Sequence, residues 1–285
     1  MSRDFNTLLH AQWDAGKFLC VGLDTDFDAL PESARVAGVR ESLVNFNRSI
    51  IDATKDVAGS YKINSAFYEA YGDLGFFALQ ETIQHIRTVA SDTPVILDAK
   101  RGDIGNTNAG YVAAAFERLV ADAITVHPYL GSESLAPFLE NTECGVFVLC
   151  RTSNPGAGEF QDLDVGGDPS RPGSAEAEPL YLRVARNVAH SWNTHGNCGL
   201  VVGATYPDEM ARIRAVADDV PFLIPGIGAQ GGDLEKAVRS GKDSRARGIL
   251  IAISRGILGA SKGSDYAEAA RAKAQEYDAA IRSAL

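Results

Sequence analysis

The stretch Leu97-Asp98-Ala99-Lys100-Arg101-Gly102-Asp103-Ile104-Gly105-Asn106-Thr107 completes an apolar run that begins at Pro94. Such a run predicts a buried strand that ends in a charged segment. Because side chains two residues apart on a strand point the same way, Asp98 and Lys100 are predicted to face one site, with Asp103 entering from the loop beyond. Charges at a strand end indicate a functional site, since loops at strand ends carry chemistry while strand middles carry packing. The alternative is a surface ion pair.

Seven more apolar runs occur along the chain. The amphipathic stretches between them predict helices, among them Val39 to Thr54 and Glu178 to His195. The eight predicted strands cover residues 17–23, 58–63, 94–99, 122–127, 145–150, 198–203, 221–225 and 248–253. Alternating strands and helices imply parallel strands joined by helical crossovers. Eight such units in 285 residues predict an α/β fold of the (β/α)8 TIM-barrel type, as a single domain over residues 1–285. An open doubly wound sheet is the competing architecture.

The composition of the chain argues against several classes of protein. The net charge of −10 argues against nucleic-acid binding, which needs a basic face. No run of about 18 apolar residues is present, so no membrane-spanning helix is expected, and the first residues show no signal-peptide pattern. The four cysteines lack C-x-x-C spacing and are expected to be buried free thiols, which fits a cytoplasmic protein.

The segments after the last two predicted strands favour a phosphate site. Gly226-Ile227-Gly228-Ala229-Gln230-Gly231 is rich in glycine, so its backbone N–H groups can approach an anion closely. Arg255 follows the eighth strand and can clamp phosphate oxygens, the alternative being a surface cation. The glycine segment also matches G-x-G-x-x-G, but a dinucleotide fingerprint normally follows the first strand of a sheet half, whereas six strand–helix units precede it here.

Lys62 ends the second predicted strand in an apolar setting, where an unpaired ammonium is costly. Asp98, one strand over, is its expected partner. The carboxylates of Asp24, Asp98 and Asp103 could bind Mg²⁺, but the nearby lysines already neutralise them, so no metal is expected. His127 follows the fourth strand and is expected to support or orient its neighbours.

The segment 151–179, after the fifth predicted strand, is rich in Gly, Pro, Asp and Ser. A connection of this length is usually an active-site lid or a disordered segment. Its glycines would allow hinge motion over a bound ligand. A passive insertion is the alternative.

At these residues the sequence resembles orotidine 5′-phosphate decarboxylase, in particular its longer bacterial type 2 branch. The motif Asp98-Ala99-Lys100-Arg101-Gly102-Asp103-Ile104 carries the resemblance. Support comes from Gly22-Leu23-Asp24, Tyr61-Lys62, Ser153-Asn154-Pro155-Gly156, Gly226-Ile227-Gly228-Ala229-Gln230 and Ser254-Arg255-Gly256, which occur in barrel order. The resemblance implies a cofactor-free barrel that converts orotidine 5′-monophosphate to UMP and CO₂ in pyrimidine biosynthesis, acting as a homodimer with shared active sites.

The resemblance also implies a role for each matched residue. Lys62, Asp98 and Lys100 would form an alternating charge network completed by Asp103 of the partner subunit, with Lys100 as the proton donor to C6. The implied substrate-binding residues are Asp24, Ile104, Thr107, Ser153, Gln230 and Arg255. Among them, Asp24 would contact the ribose with Lys62, and Thr107 of the partner subunit would join them. Ser153 would contact the pyrimidine edge, and Gln230 and Arg255 the phosphate.

Three other functions remain as alternatives. A related barrel decarboxylates 3-keto-sugar-acid phosphates with Mg²⁺ and shares an Asp-x-Lys-x-x-Asp motif. Lys62 argues against that function, because a carboxylate is expected at its position. A non-catalytic nucleotide-phosphate sensor would not need both lysines and both aspartates, and a scaffolding protein has no use for convergent charges.

Overall fold

The computed structural model describes residues 3–166, 177–228 and 231–285. Its strands are β1 (Leu19–Gly22), β2 (Ser60–Asn64), β3 (Val95–Arg101), β4 (Ala123–Val126), β5 (Gly145–Arg151), β6 (Asp164–Val165), β7 (Glu178–Pro179), β8 (Cys198–Val202), β9 (Phe222–Ile224) and β10 (Ile249–Ile253). Eight of them pair in parallel in the order β1-β2-β3-β4-β5-β8-β9-β10, and β10 pairs with β1 to close a barrel. The predicted (β/α)8 barrel is confirmed, since a doubly wound sheet would keep two open edges.

The barrel strands are buried on both faces, because one face fills the barrel interior and the other is covered by helices. Every residue of β1, β8 and β10 is buried. The ring of Phe5, on the first helix, meets Phe147 of β5 edge to face at 5.7 Å and covers the amino end of the strands. The thiols of Cys20, Cys150 and Cys198 are buried and free, as predicted, and Cys144 is half-buried.

Helices surround the barrel and connect successive strands. They are α1 (Phe5–Asp14), α2 (Val39–Thr54), α3 (Ala66–Glu69), α4 (Gly72–Val89), α5 (Gly105–Val112), α6 (Gly131–Leu139), α7 (Gly158–Gln161), α8 (Leu180–Asn187), α9 (Pro207–Val216), α10 (Leu234–Gly241), α11 (Arg255–Leu258) and α12 (Tyr266–Ala284). Two of them, α5 and α8, continue as π-helical turns over Ala113–Arg118 and Val188–Trp192. Among the helices in the described ranges, none is both long and apolar enough to cross a membrane.

The described parts of segment 151–179 contain regular structure. A 3₁₀ turn (Pro155–Ala157) leads into α7, and β6 then pairs with β7 as an antiparallel ribbon. This pairing corrects the sequence interpretation, which began the next helix at Glu178. Glu178 and Pro179 belong to the ribbon, and the helix begins at Leu180. Residues 167–176 lie outside the described residues, so the expectation of a lid there stays a prediction.

Candidate active site

Four charged side chains meet at the carboxyl end of the first three barrel strands. Asp24 follows β1, Lys62 lies in β2, and Asp98 and Lys100 lie in β3. The Nζ atom of Lys62 is 3.0 Å from Oδ1 of Asp24 and 3.2 Å from Oδ2 of Asp98. The Nζ atom of Lys100 is 2.7 Å from Oδ1 of Asp98. The side chains therefore alternate in sign, and Lys62 has a second carboxylate partner, Asp24, beside the expected Asp98.

Burial and charge act against each other in this cluster. The side chain of Lys62 is only 6% exposed, and burial alone lowers the pKa of a lysine, but Asp24 and Asp98 raise it above its usual value. Burial raises the pKa of the Asp98 carboxyl. The positive charges of Lys62 and Lys100 outweigh this effect and lower the pKa to about 2. Both groups are therefore charged at neutral pH. The side chain of Lys100 is 48% exposed, so its ammonium is open to a ligand in the barrel mouth.

Two hydroxyl groups hold the carboxylates in place. Thr125, in β4, donates to Oδ1 of Asp98 at 2.8 Å and accepts the N–H of Lys100 at 3.0 Å. Ser254, directly after β10, donates to Oδ2 of Asp24 at 2.6 Å. The sequence interpretation assigned no role to either residue. Their only signal is a hydroxyl at or just after the end of a strand, which is common in any barrel.

Lys100 has left-handed backbone geometry, with φ of +48°. The pairing of β3 with β4 also shifts register between Leu97 and Arg101. The expected contact between Asp98 and Lys100 is present, but regular strand alternation does not produce it, because the strand is irregular beyond Leu97. A non-glycine residue in this region costs about 1–2 kcal/mol, and such strain is usually retained at functional sites.

His127 supports the turn that follows Lys100. A side chain on Gly102, whose φ is +151°, would place its Cβ 2.7 Å from Nε2 of His127. The backbone N–H of His127 also donates to the carbonyl of Arg101 at 2.8 Å. These contacts agree with the supporting role predicted for His127.

Asp103, Ile104 and Thr107 lie on the loop and helix that follow β3. The Asp103 carboxylate is exposed and accepts the N–H of Ile104 at 2.7 Å. Within the described ranges, no ion pair joins it to Lys62 or Lys100. Ile104 is 59% exposed, and Thr107 is exposed on α5.

Ser153 and Arg255 follow two other strands at the same end of the barrel. Ser153 follows β5 and is half-buried against Gly203. Arg255 is exposed as the first residue of α11, next to Ser254. Gln230 lies outside the described residues, so its expected phosphate contact stays a prediction.

The described part of the chain contains many His, Cys, Asp and Glu side chains, which are usual metal ligands in proteins. Nowhere in that part of the chain do three or more His, Cys, Asp or Glu side chains gather in a way that could hold a metal ion. The carboxylates of Asp24 and Asp98 are already engaged by Lys62 and by the hydroxyls of Ser254 and Thr125. This cluster can hold an exposed ammonium, that of Lys100, beside a fixed negative charge.

Known proteins resemble this chain in sequence and in fold. A family model described as orotidine 5′-phosphate decarboxylase / HUMPS family matches residues 17–272. An orotidine 5′-phosphate decarboxylase of Cellvibrio japonicus (strain Ueda107) is 48% identical over 256 residues, which is 90% of this chain and 89% of that protein. The OMP decarboxylase of Leishmania donovani superposes with a TM-score of 0.81 at 39% identity, over 98% of this chain and 99% of that one. The UMP synthase of the same organism gives 0.83 at 40% identity, over 99% of this chain and 57% of that longer one.

Proposed function

The chain belongs to the orotidine 5′-phosphate decarboxylase / HUMPS family, and we propose that it decarboxylates orotidine 5′-monophosphate without a cofactor, with Lys100 as the proton donor. Its activity is that of an orotidine 5′-phosphate decarboxylase, a step in pyrimidine biosynthesis. The observation that carries the proposed mechanism is the Asp98 carboxylate held between two ammonium groups, of which only that of Lys100 is substantially exposed.

The reaction makes a specific demand on the site. When the bond between C6 and the carboxylate breaks, CO₂ leaves and the electron pair stays on C6, in an orbital with little delocalisation into the ring. A cation beside C6 stabilises this pair, and the same cation then donates a proton to give UMP. Lys100 suits both tasks because its ammonium is paired with Asp98 and still open to the mouth. The neutral amine regains its proton from solvent.

Asp98 has two tasks in this proposal. Its negative charge keeps Lys100 protonated and aimed. It also repels the substrate carboxylate, and this repulsion ends as CO₂ departs. At ~4 Å and an effective dielectric constant of ~20, two like charges repel by about 4 kcal/mol. Since ground-state destabilisation of this kind is contested, we treat it as secondary to stabilisation of the carbanion.

The rest of the substrate is assigned to the surrounding strand ends. Asp24 and Lys62 bind the ribose hydroxyls, and Ser153 contacts the pyrimidine edge. Gln230 and Arg255 hold the phosphate. Such remote contacts matter because binding energy far from C6 orients the reacting group.

We assign Asp103, Ile104 and Thr107 to the active site of a second copy of the chain. All three are exposed on the loop and helix after β3, and the hydrogen bonds that Asp103 makes to described residues are local, to Ile104 and Asn108. Large apolar side chains lie on the loop after β4, where Tyr129 is 82% exposed. A homodimer that buries this side of the barrel mouth would complete both sites and cover these side chains.

The proposal extends to the setting of the protein. The whole chain, residues 1–285, acts as a single barrel domain in the cytoplasm. Its partners are the small-molecule substrate and a second copy, rather than nucleic acid or membrane, as the net charge of −10 favours.

The test follows the loss of orotidine 5′-monophosphate absorbance with purified protein in EDTA, beside Lys100→Ala. We expect rapid loss with the wild type and a fall in kcat of about 10⁴-fold or more in the variant, because it removes both the cation and the proton donor. Lys273→Ala, which changes an exposed lysine on α12, is the matched control and should retain wild-type rates. An inactive wild type that gains activity toward a 3-keto-sugar-acid phosphate with Mg²⁺ would contradict the proposal.

A further inference from the structure

A buried arginine, Arg151, is the last residue of β5. The side chain of Arg151 is 2% exposed. Its Nη2 and Nε atoms lie 3.1 Å and 3.0 Å from the carboxylate oxygens of Asp162, and its guanidinium lies 3.9 Å from the ring centre of Tyr206. A cation this deeply buried needs a partner, yet Asp162 is 46% exposed and lies on the segment after β5. The ion pair therefore ties that segment to the barrel.

The same guanidinium, together with Gln161, fixes the backbone on both sides of Thr152. Nη1 of Arg151 donates to the carbonyl of Thr152 at 3.1 Å. Oε1 of Gln161 accepts the N–H of Thr152 at 2.9 Å, and Nε2 of Gln161 donates to its hydroxyl at 2.9 Å. Both peptide groups that flank Thr152 are thus held by side chains.

This arrangement bears directly on Ser153. The carbonyl of Thr152 and the N–H of Ser153 belong to one planar peptide unit. The hydrogen bond from Arg151 to this carbonyl therefore also fixes the orientation of the Ser153 N–H. On the other side, Ser153 packs against Gly203, where a Cβ would lie 2.7 Å from the Ser153 nitrogen. Thr205 donates to the Ser153 carbonyl at 3.5 Å.

We propose that Arg151 is a positioning residue that acts through Ser153, so that its ion pair with Asp162 sets the affinity of the site for the pyrimidine base. The inference rests on the proposed function, in which Ser153 contacts the base. Arg151 itself touches no reacting atom. Its loss should therefore weaken recognition of the base while leaving the ribose and phosphate contacts unchanged.

The experiment compares two ligands in the full-length protein by titration calorimetry. UMP carries the base, whereas ribose 5-phosphate does not. We expect Arg151→Met to weaken UMP binding by about tenfold or more, since a charge-assisted hydrogen bond is lost, and to change ribose 5-phosphate binding by less than about twofold. A purely structural role would change both affinities together.

Arg183→Met is the matched control. Arg183 forms a similar ion pair with Glu178 at 2.8 Å at the far end of the same segment, away from Thr152. It should leave both affinities within about twofold of wild type. Asp162→Asn tests the same ion pair from its exposed side and is available if Arg151→Met does not fold.

Coupling to Ser153 completes the test. In a Ser153→Ala background, Arg151→Met should cost little further UMP affinity, because the group it positions is gone. Equal losses in both backgrounds, or equal losses for both ligands, would overturn the inference. The proposed function fails separately, by a wild type that forms no UMP from orotidine 5′-monophosphate.

Discussion

Lys62 and Arg214 are two buried cations at opposite ends of the same barrel. Lys62 lies at the carboxyl end, between the carboxylates of Asp24 and Asp98. Arg214, on α9, donates to the carbonyls of Val220, two residues before β9, and Gly248, directly before β10, both at the amino end. Its remaining hydrogen bonds also go to backbone carbonyls, those of Ala217, Asp218 and Gly241.

The pKa values of the two cations move in opposite directions. Burial lowers the pKa of Arg214 to about 10, because neutral carbonyls and more distant carboxylates only partly replace its water. Burial acts on Lys62 in the same sense, but two contacting carboxylates more than offset it and raise the pKa. A buried cation bonded to backbone carbonyls holds backbone segments together. A buried cation between carboxylates keeps several charged groups close to one another at the barrel mouth. We therefore assign Arg214 to stability and, under the proposed function, Lys62 to chemistry.

The largest expected effect is on activity at the carboxyl end. Lys62→Met keeps the length of the side chain but removes the charge that separates Asp24 from Asp98. One of these carboxylates should then take up a proton, and the alternation that holds Lys100 should be lost. We expect kcat/KM for orotidine 5′-monophosphate to fall by about 1,000-fold, measured by absorbance, with little change in fold by circular dichroism. Wild-type kinetics in this variant would break the comparison.

Arg214→Met should lower stability and leave activity unchanged. It leaves buried carbonyls without donors, so we expect the free energy of unfolding to fall by about 3–5 kcal/mol in urea titrations. The folded fraction should keep its kcat, because no contact of Arg214 reaches the cluster. Arg239→Met, which changes an exposed side chain on α10, is the control and should change stability by less than about 0.5 kcal/mol. A selective loss of kcat in Arg214→Met would contradict the assignment of this end to stability.

Acid should expose the contribution of Asp98. Because its pKa is about 2 in the folded chain and 3.8 for a solvated carboxyl, as in the unfolded chain, the stabilisation is complete above about pH 5 and is lost as the pH falls toward 2. We expect this carboxylate to account for about 2 kcal/mol of the free energy of unfolding. The measurement compares urea midpoints at pH 5 and pH 2.5, and Asp98→Asn should lose less stability over this range. Identical losses would show that Asp98 is not stabilised by its lysines.

The smallest expected effect on activity concerns the hydroxyl group of Thr125. Thr125→Val keeps the shape of the side chain but removes the donor to Asp98 and the acceptor for the Lys100 N–H. We expect kcat to fall by about tenfold, which corresponds to about 1.4 kcal/mol. Thr54→Val is the matched control, since the Thr54 hydroxyl is also buried and donates to the Ile50 carbonyl, but far from the cluster. It should lower stability and leave kcat unchanged.

Much of the fold could be predicted because the apolar runs of the sequence form the buried strands of the structure. All eight predicted strands overlap barrel strands, and α2 has the predicted bounds of Val39 and Thr54. The helix expected from Glu178 was placed too early, since the pairing of β6 with β7 depends on a contact between residues far apart in sequence. Local patterns hold no information about such pairing.

By itself, the sequence determined which residues form the barrel strands and that Asp24, Lys62, Asp98 and Lys100 lie at strand ends. The spacing of apolar residues is a local property, so the buried strands can be recognised directly in the sequence. Only the tertiary structure decided the rest: that Lys62 has two carboxylate partners, that Thr125 and Ser254 hold those carboxylates, and that Lys100 reaches Asp98 from a left-handed, irregular end of β3. These contacts depend on the register of neighbouring strands and the closure of the barrel, which bring together side chains that are distant along the chain.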